Sequence, residues 1–184
     1  MAFQYSIRLS GAGGYGLIQA ARILAEAAAI YDNKNASESC SYGPEARGSA
    51  SRAEIIISDE AIDYPKAKTI DFMVALTQEA YDKYKKDLNP SATVVVDSAV
   101  KPDNPGDNWQ IYCVPFTKMA ASLDPKFPMI NMIALGFFAK ICSIISATSI
   151  RQAILARIPK KSEEMYLKAF DTGLNARADI FGDK

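Results

Sequence analysis

The spacing of apolar residues changes several times along the chain, and each change marks an element. FQYSIRLS, residues 3–10, alternates apolar with polar positions and then meets glycine, which predicts a first strand ending in a tight turn. GLIQAARILAEAAAIY follows at a helical period, with Leu17, Ala21, Leu24 and Ala28 along one face. A second extended piece is expected near residues 35–39, and the β-branched run AEIIIS, residues 53–58, suits a buried strand. FMVAL, residues 72–76, is another continuous apolar run. Thr77 then stands as N-cap for a helix over QEAYDKYKKDL, which Asn89-Pro90 stops, and ATVVVD supplies the next strand. After the Pro/Gly/Asn-rich loop KPDNPGDNW, QIYCVP returns to strand character.

Beyond Pro115 the periodicity is helical. NMIALGFFAKICSII is apolar nearly all round, as a buried helix should be; SIRQAILARI opens with a capping-box pattern from Ser149 to Gln152; SEEMYLKAFDTGLNARA begins with Ser162 and two first-turn glutamates. Strands alternating with helices need crossover connections, so the order predicts an α/β, Rossmann-like fold: a mostly parallel sheet with helices on both faces and a helical C-terminal third. No internal repeat and no long linker interrupts it, and residues 1–184 are expected to form a single domain.

Composition removes several function classes. The 21 basic and 21 acidic side chains cancel, which argues against a sequence-independent nucleic-acid binder, because such proteins need surplus Lys and Arg to displace counterions. No window approaches the roughly 20 apolar residues needed to cross a bilayer, and the N-terminus lacks a basic segment followed by a long apolar run, so a cytoplasmic protein without a membrane partner is expected. Cys40, Cys113 and Cys142 are too far apart to resemble a disulfide framework or a cluster-binding set, and reduced, mostly buried thiols are expected. Histidine is absent, which excludes imidazole metal sites and histidine acid–base chemistry within this chain. No metal ligand set and no catalytic residue is predicted.

GAGGYG places Gly11, Gly13 and Gly16 in GxGxxG spacing, with Gly14 between them, after a strand and at the opening of a helix. In that setting Gly11 permits a sharp turn, Gly13 lets a phosphate approach the backbone, and Gly16 lets the helix sit close to the sheet, while free amides at the helix start favour an anion. One reading is a cofactor-binding loop for a phosphate-bearing ligand at Gly11, Gly13, Gly14 and Gly16; the other is a structural turn whose site is completed by another chain. An NAD site also wants an acidic residue about 20 positions on to take the ribose hydroxyls. Glu38 is the only well-placed candidate, and the SCSYGPEARG hairpin that follows it at once would crowd the ribose pocket.

Within SYGPEARGSASRAEIIIS, Gly43-Pro44 sets a bend and Arg47-Gly48 follows within one turn, so Glu45 and Arg47 should project together from a stiffened loop. A rigid, exposed guanidinium suits a carboxylate, a phosphate or a partner's acidic group. The plainer account is a surface pair, Glu45–Arg47 or Arg47–Glu54, worth at most about 1 kcal/mol.

GAGGYGLIQAARILAEAA, then SYGPEARGSASRAEIIISD, then NMIALG, resembles the gamma subunit of the 2-oxoacid:ferredoxin (acceptor) oxidoreductases, most closely the 2-oxoglutarate form. The likeness covers nearly the whole chain in order, and YGPEARG and NMIALG are more particular to that family than the glycine loop. Ser49 departs from it, where a second glycine is common. The resemblance implies a subunit, inactive alone, of an anaerobic-metabolism enzyme that oxidatively decarboxylates a 2-oxoacid with coenzyme A, giving acyl-CoA and CO2 and passing electrons through iron–sulfur clusters to ferredoxin or another acceptor. Thiamine diphosphate and Mg would lie between alpha and beta subunits, with a ferredoxin-like delta subunit alongside. No cofactor is then expected on this chain alone. Under this reading Tyr42, Gly43, Pro44, Glu45, Arg47 and Gly48 dock onto the partner subunits near the thiamine site. Asn131 either caps the helix it begins or reaches the same interface. The glycine loop either receives coenzyme A phosphates or shapes the wall. The competing readings are a stand-alone NAD(P)-binding Rossmann-type reductase and an assembly protein whose glycine loop binds nothing; isolated chains pairing as a homodimer fit an exposed docking patch.

Overall fold

One seven-stranded sheet organises residues 3–41, 50–103 and 108–181, the parts of the chain that the computed structural model describes. In chain order the strands are β1 (Gln4–Ala12), β2 (Asn35–Ser41), β3 (Ala50–Ser58), β4 (Ile70–Ala75), β5 (Leu88–Asp97), β6 (Gln110–Val114) and β7 (Asp179–Ile180), and across the sheet they lie in the order β2-β3-β1-β4-β5-β6-β7. β1, β4, β5 and β6 pair in parallel. β3 runs antiparallel to both β1 and β2, and β7 antiparallel to β6, so every strand except β3 and β7 points the same way. The expected α/β architecture is present. The reversal of β3 was not visible in a run as apolar as AEIIIS, since side-chain periodicity carries no strand direction.

The helices are α1 (Leu17–Glu26), α2 (Gln78–Tyr84), α3 (Phe116–Leu123), α4 (Ile130–Ile141), α5 (Ala147–Arg157) and α6 (Glu163–Leu174). Ile7 and Leu9 of β1, Ile55 and Ile57 of β3, and Phe72 and Val74 of β4 bury one sheet face against α1, α3, α4, α5 and α6. On the other face α2 packs Ala80, Tyr81 and Tyr84 onto Met73, Ala75, Val94 and Val96. Helices therefore cover both faces unequally. Over β1 and β3 the second face carries Ser6, Arg8, Ser10, Glu54 and Ser58, all buried, so of the polar half of the FQYSIRLS alternation only Gln4 faces water. Arg8 donates to Glu54 Oε1 through Nε (2.9 Å) and Nη2 (2.7 Å), and to Asp87 Oδ2 through Nη1 (2.8 Å).

Local differences from the sequence reading have definite causes. α1 passes into a π-type turn over Ala27–Tyr31, closed by the Asp32 amide on the Ala27 carbonyl (3.0 Å). The helix after Thr77 ends at Tyr84, and β5 begins at Leu88, so Pro90 lies inside a strand; it is tolerated because the ladder to β4 shifts register between Ile70 and Phe72. The cap of α5 lies three residues before Ser149: Ser146 is its N-cap and accepts from the Ser149 amide (3.0 Å), because Asp32 accepts from the Ser146 amide (2.7 Å) and holds it there. α4 and α6 cross with their backbones in contact. A Cβ on Gly136 would stand 1.9 Å from the Phe170 carbonyl oxygen, and one on Gly173 equally 1.9 Å from that of Ile133.

Candidate functional site

The carboxyl ends of β1 and β4 form the point where the chain, having left β1 toward β3, resumes on its other side. In open α/β sheets ligands gather at such a reversal. Gly11 is still in the strand, opposite Ser51, and packs a would-be Cβ 3.1 Å from Leu76 Cβ, so it serves close packing against the end of β4 and not the turn itself. The turn lies at Gly14 (φ +92°) and Gly16 (φ +70°), left-handed conformations that a side chain would strain. Among the described residues a Cβ on Gly13 or Gly14 would meet no heavy atom within 4 Å. Gly16 caps α1 without any side-chain acceptor. The first turn of α1 thus has no N-cap side chain accepting from its amides, which leaves them to an outside acceptor.

Asn131 is brought to this loop from 115 residues away. It sits in the first turn of α4, is 7% exposed, and donates from Nδ2 to the Gly16 carbonyl (3.1 Å), while its Oδ1 accepts from the Met132 amide (3.0 Å). A Cβ on Gly16 would come within 2.4 Å of Nδ2. Gly16 is therefore the position at which α4, rather than the sheet, closes on the loop. Asn131 is a clamp between α4 and the loop and not the cap of its helix, since Met129 holds the N-cap position.

Tyr42, Gly43, Pro44, Glu45, Arg47 and Gly48 lie outside the described residues, but both ends of their segment are placed. Ser41 pairs with Arg52, and Ala50 with Ala12, so the segment leaves and rejoins the sheet at the glycine-loop end. Its root is held by groups that the sequence reading missed: Glu79 Oε1 accepts from the Ala50 amide (3.1 Å), the Tyr84 hydroxyl donates to the Ala50 carbonyl (2.9 Å), and the Ser51 hydroxyl donates to the Gly11 carbonyl (3.3 Å). Glu79 reads in sequence only as a first-turn acid and Tyr84 only as one apolar helix position; neither carries a local signal of its partner.

Glu38 does not serve the glycine loop. β3 separates β2 from β1, which puts Glu38 two strands away, roughly 10 Å, opposite Ile55 and midway along the edge strand. It pairs with Arg22 (3.6 Å) and accepts from the Cys40 thiol (3.2 Å). Glu54, a possible partner for Arg47, is already engaged by Arg8 and by Arg52 (3.3 Å). The expectation of mostly buried thiols needs correction: Cys142 is buried, Cys113 half-buried and Cys40 exposed, because β2 is an edge strand. Partial desolvation and the hydrogen bond to Glu38 push the Cys40 thiol up to about 11, which leaves it protonated at neutral pH. Among the described residues no group of three or more Cys, Asp or Glu side chains is placed to hold a metal ion, and no helix is long and apolar enough to cross a membrane.

Comparison with known proteins adds independent findings. Residues 6–176 match the family described as Pyruvate ferredoxin/flavodoxin oxidoreductase. The 2-oxoglutarate synthase subunit KorC of Methanocaldococcus jannaschii is 45% identical over 177 residues, which cover 95% of this chain and 94% of that one. Its namesake from Methanothermobacter marburgensis is 36% identical over 91% of this chain and 93% of its own. The crystal structure of the keto/oxoacid ferredoxin oxidoreductase gamma subunit from Geobacter sulfurreducens superimposes with a TM-score of 0.81 at 41% identity, covering 94% of this chain and 95% of that one.

Proposed function

Since the chain belongs to the Pyruvate ferredoxin/flavodoxin oxidoreductase family, we propose that it is the gamma subunit of a 2-oxoglutarate:ferredoxin oxidoreductase and contributes walls and docking surface, not reactive groups, to the active site. The observation that carries this reading is the near full-length likeness to 2-oxoglutarate synthase subunits. The complex converts a 2-oxoacid and coenzyme A to acyl-CoA and CO2, with two electrons passing to ferredoxin or a similar acceptor.

Thiamine diphosphate supplies carbanion stabilisation in such chemistry. The described side chains do not fit a Mg-diphosphate or an iron–sulfur cluster, since no set of ligands converges. Those groups are therefore assigned to the alpha, beta and ferredoxin-like delta subunits. This chain's own part is at the sheet's carboxyl end. Gly13 and Gly14 leave room for a coenzyme A phosphate against the uncapped start of α1. Tyr42, Gly43, Pro44, Glu45, Arg47 and Gly48, rooted beside that loop, dock on the partners, with Arg47 pairing to a carboxylate or phosphate there. The NAD(P)-reductase reading is not favoured, because Glu38 is out of reach of the loop.

Co-expression with neighbouring subunits is the test. Tagged chain should recover partners bearing thiamine diphosphate and clusters, and Arg47→Ala should weaken assembly or turnover while the isolated chain unfolds as before. Gly13→Asp should raise the KM for coenzyme A; an effect on assembly alone would favour a loop that binds nothing. A lone chain that turns over a 2-oxoacid, or that binds NAD saturably, overturns the proposal.

A further inference from the structure

On the sheet face opposite α1, the strands β1, β2 and β3 floor a cleft of about 370 Å3, within the range of small-molecule sites. Its base is the buried pair Arg8–Glu54, joined by Asp87 and Arg52. Its walls are Ser39 and Ser41 of β2 and, from the chain entering β4, Lys66 and Lys68.

The charges do not balance. Among the described residues four cations, Arg8, Arg52, Lys66 and Lys68, line the cleft against two carboxylates, Glu54 and Asp87. Both carboxylates are already held by Arg8, at 2.7 and 2.8 Å. Arg52 stands farther from them, at 3.3 and 3.8 Å, with its guanidinium over the Tyr84 ring (5.2 Å to the centroid), so it is oriented without being consumed. Among the described residues no carboxylate lies within salt-bridge distance of Lys66 or Lys68. The arithmetic leaves two positive charges, four less two, facing a space bordered by two hydroxyls.

We propose that this cleft binds a phosphate monoester, with Lys66 and Lys68 neutralising its dianion, the Ser39 and Ser41 hydroxyls donating to its oxygens, and Arg52 contributing one free N–H. Phosphate is chosen over carboxylate on geometry. A carboxylate favours a planar guanidinium fork, and both forks here are turned toward Glu54 and Asp87. Ammonium groups and hydroxyls on several sides suit a tetrahedral acceptor, whose second ionisation near pH 6 makes it a dianion at neutrality. The volume exceeds a bare ion, so the ester carries an organic group of a few atoms beyond the phosphate.

The assay is calorimetric titration with glycerol 3-phosphate at low salt, where surface charge is least screened. Gly13→Asp chain is used throughout, which places a carboxylate in the glycine loop and removes that loop as a competing anion site; Gly13 has open space for the side chain. Saturable binding with Kd at or below about 1 mM is expected, and adding Lys66→Gln and Lys68→Gln should weaken it at least tenfold without changing the unliganded melting temperature, since both lysines are exposed. Succinate, a dianion of two planar carboxylates, should bind at least tenfold more weakly. Absence of saturable binding, equal binding after loss of both lysines, or equal affinity for succinate would each overturn the proposal.

Discussion

The clamp between Gly16 and Asn131 can be tested as a double-mutant cycle, and the structure supplies the expected terms. Asn131→Ala removes two hydrogen bonds, Nδ2 to the Gly16 carbonyl at 3.1 Å and the Met132 amide to Oδ1 at 3.0 Å. Neither backbone group is orphaned, because the Gly16 carbonyl also accepts from the Ala20 amide (3.1 Å) and the Met132 amide also donates to the Met129 carbonyl (3.1 Å). The cost is then that of two net hydrogen bonds, about 2 kcal/mol, without the added penalty of a buried unpaired group. For a chain of this size that lowers the melting temperature by about 4–8 °C. Gly16→Ala adds the strain of a left-handed alanine, about 1–2 kcal/mol, and its Cβ displaces Nδ2 from 2.4 Å, so the same Asn131–Gly16 bond is lost. That bond counts in both single variants but only once in the pair. Urea unfolding of the four proteins should therefore show the double variant less destabilised than the sum of the singles by about 1 kcal/mol or more, outside the additivity error of roughly 0.5 kcal/mol. Additive losses would mean that Asn131 does not hold the glycine loop.

Three further outcomes follow from the packing and charge pattern. Gly173→Ala drives a methyl to within 1.9 Å of the Ile133 carbonyl, backbone against backbone, and should destabilise by about 3 kcal/mol or more in thermal unfolding; a loss under 1 kcal/mol would show that α4 and α6 do not touch there. Arg8→Met leaves the 6%-exposed Glu54 with only the more distant Arg52 and should cost about 3–5 kcal/mol, part of it restored by adding Glu54→Gln; equal stability of the single and paired variants would contradict the buried charge network. Desolvation raises the Asp32 carboxyl, but hydrogen bonds from Ser149 and Ser146 and the charge of Lys34 outweigh it and hold the group below the usual carboxylate range. A depressed folded value contributes stability that is complete above the unfolded value, about 3.9, and is lost as pH falls through it toward the folded one. Asp32→Asn should accordingly flatten the acid limb of a stability–pH curve below about pH 4, and an unchanged limb would place the acid sensitivity elsewhere.

What the amino-acid order determined by itself is local. The β-branched runs, the glycine-rich connection between β1 and α1, the Thr77 cap that accepts from the Ala80 amide (3.3 Å), and the largely apolar α4 follow from interactions within a few residues, which periodicity and capping express directly. The glycine loop stood out by its GxGxxG spacing between a strand and a helix, whereas YGPEARG read alone is most simply a solvated charged turn and became a docking candidate through the family resemblance. Tertiary structure alone decided where these pieces meet. That β3 inserts between β2 and β1, and so carries Glu38 away from the loop, depends on strand pairing, to which side-chain alternation is indifferent. The pairing of Asn131 with Gly16, of Tyr84 with Ala50, and of Arg8 with Glu54 and Asp87 joins positions 34 to 115 residues apart. In sequence each of these polar residues reads as a cap, a core aromatic or a solvated charge. Burial converts them into fixed contacts, because a polar group withdrawn from water must find its partner wherever the packed chain presents one.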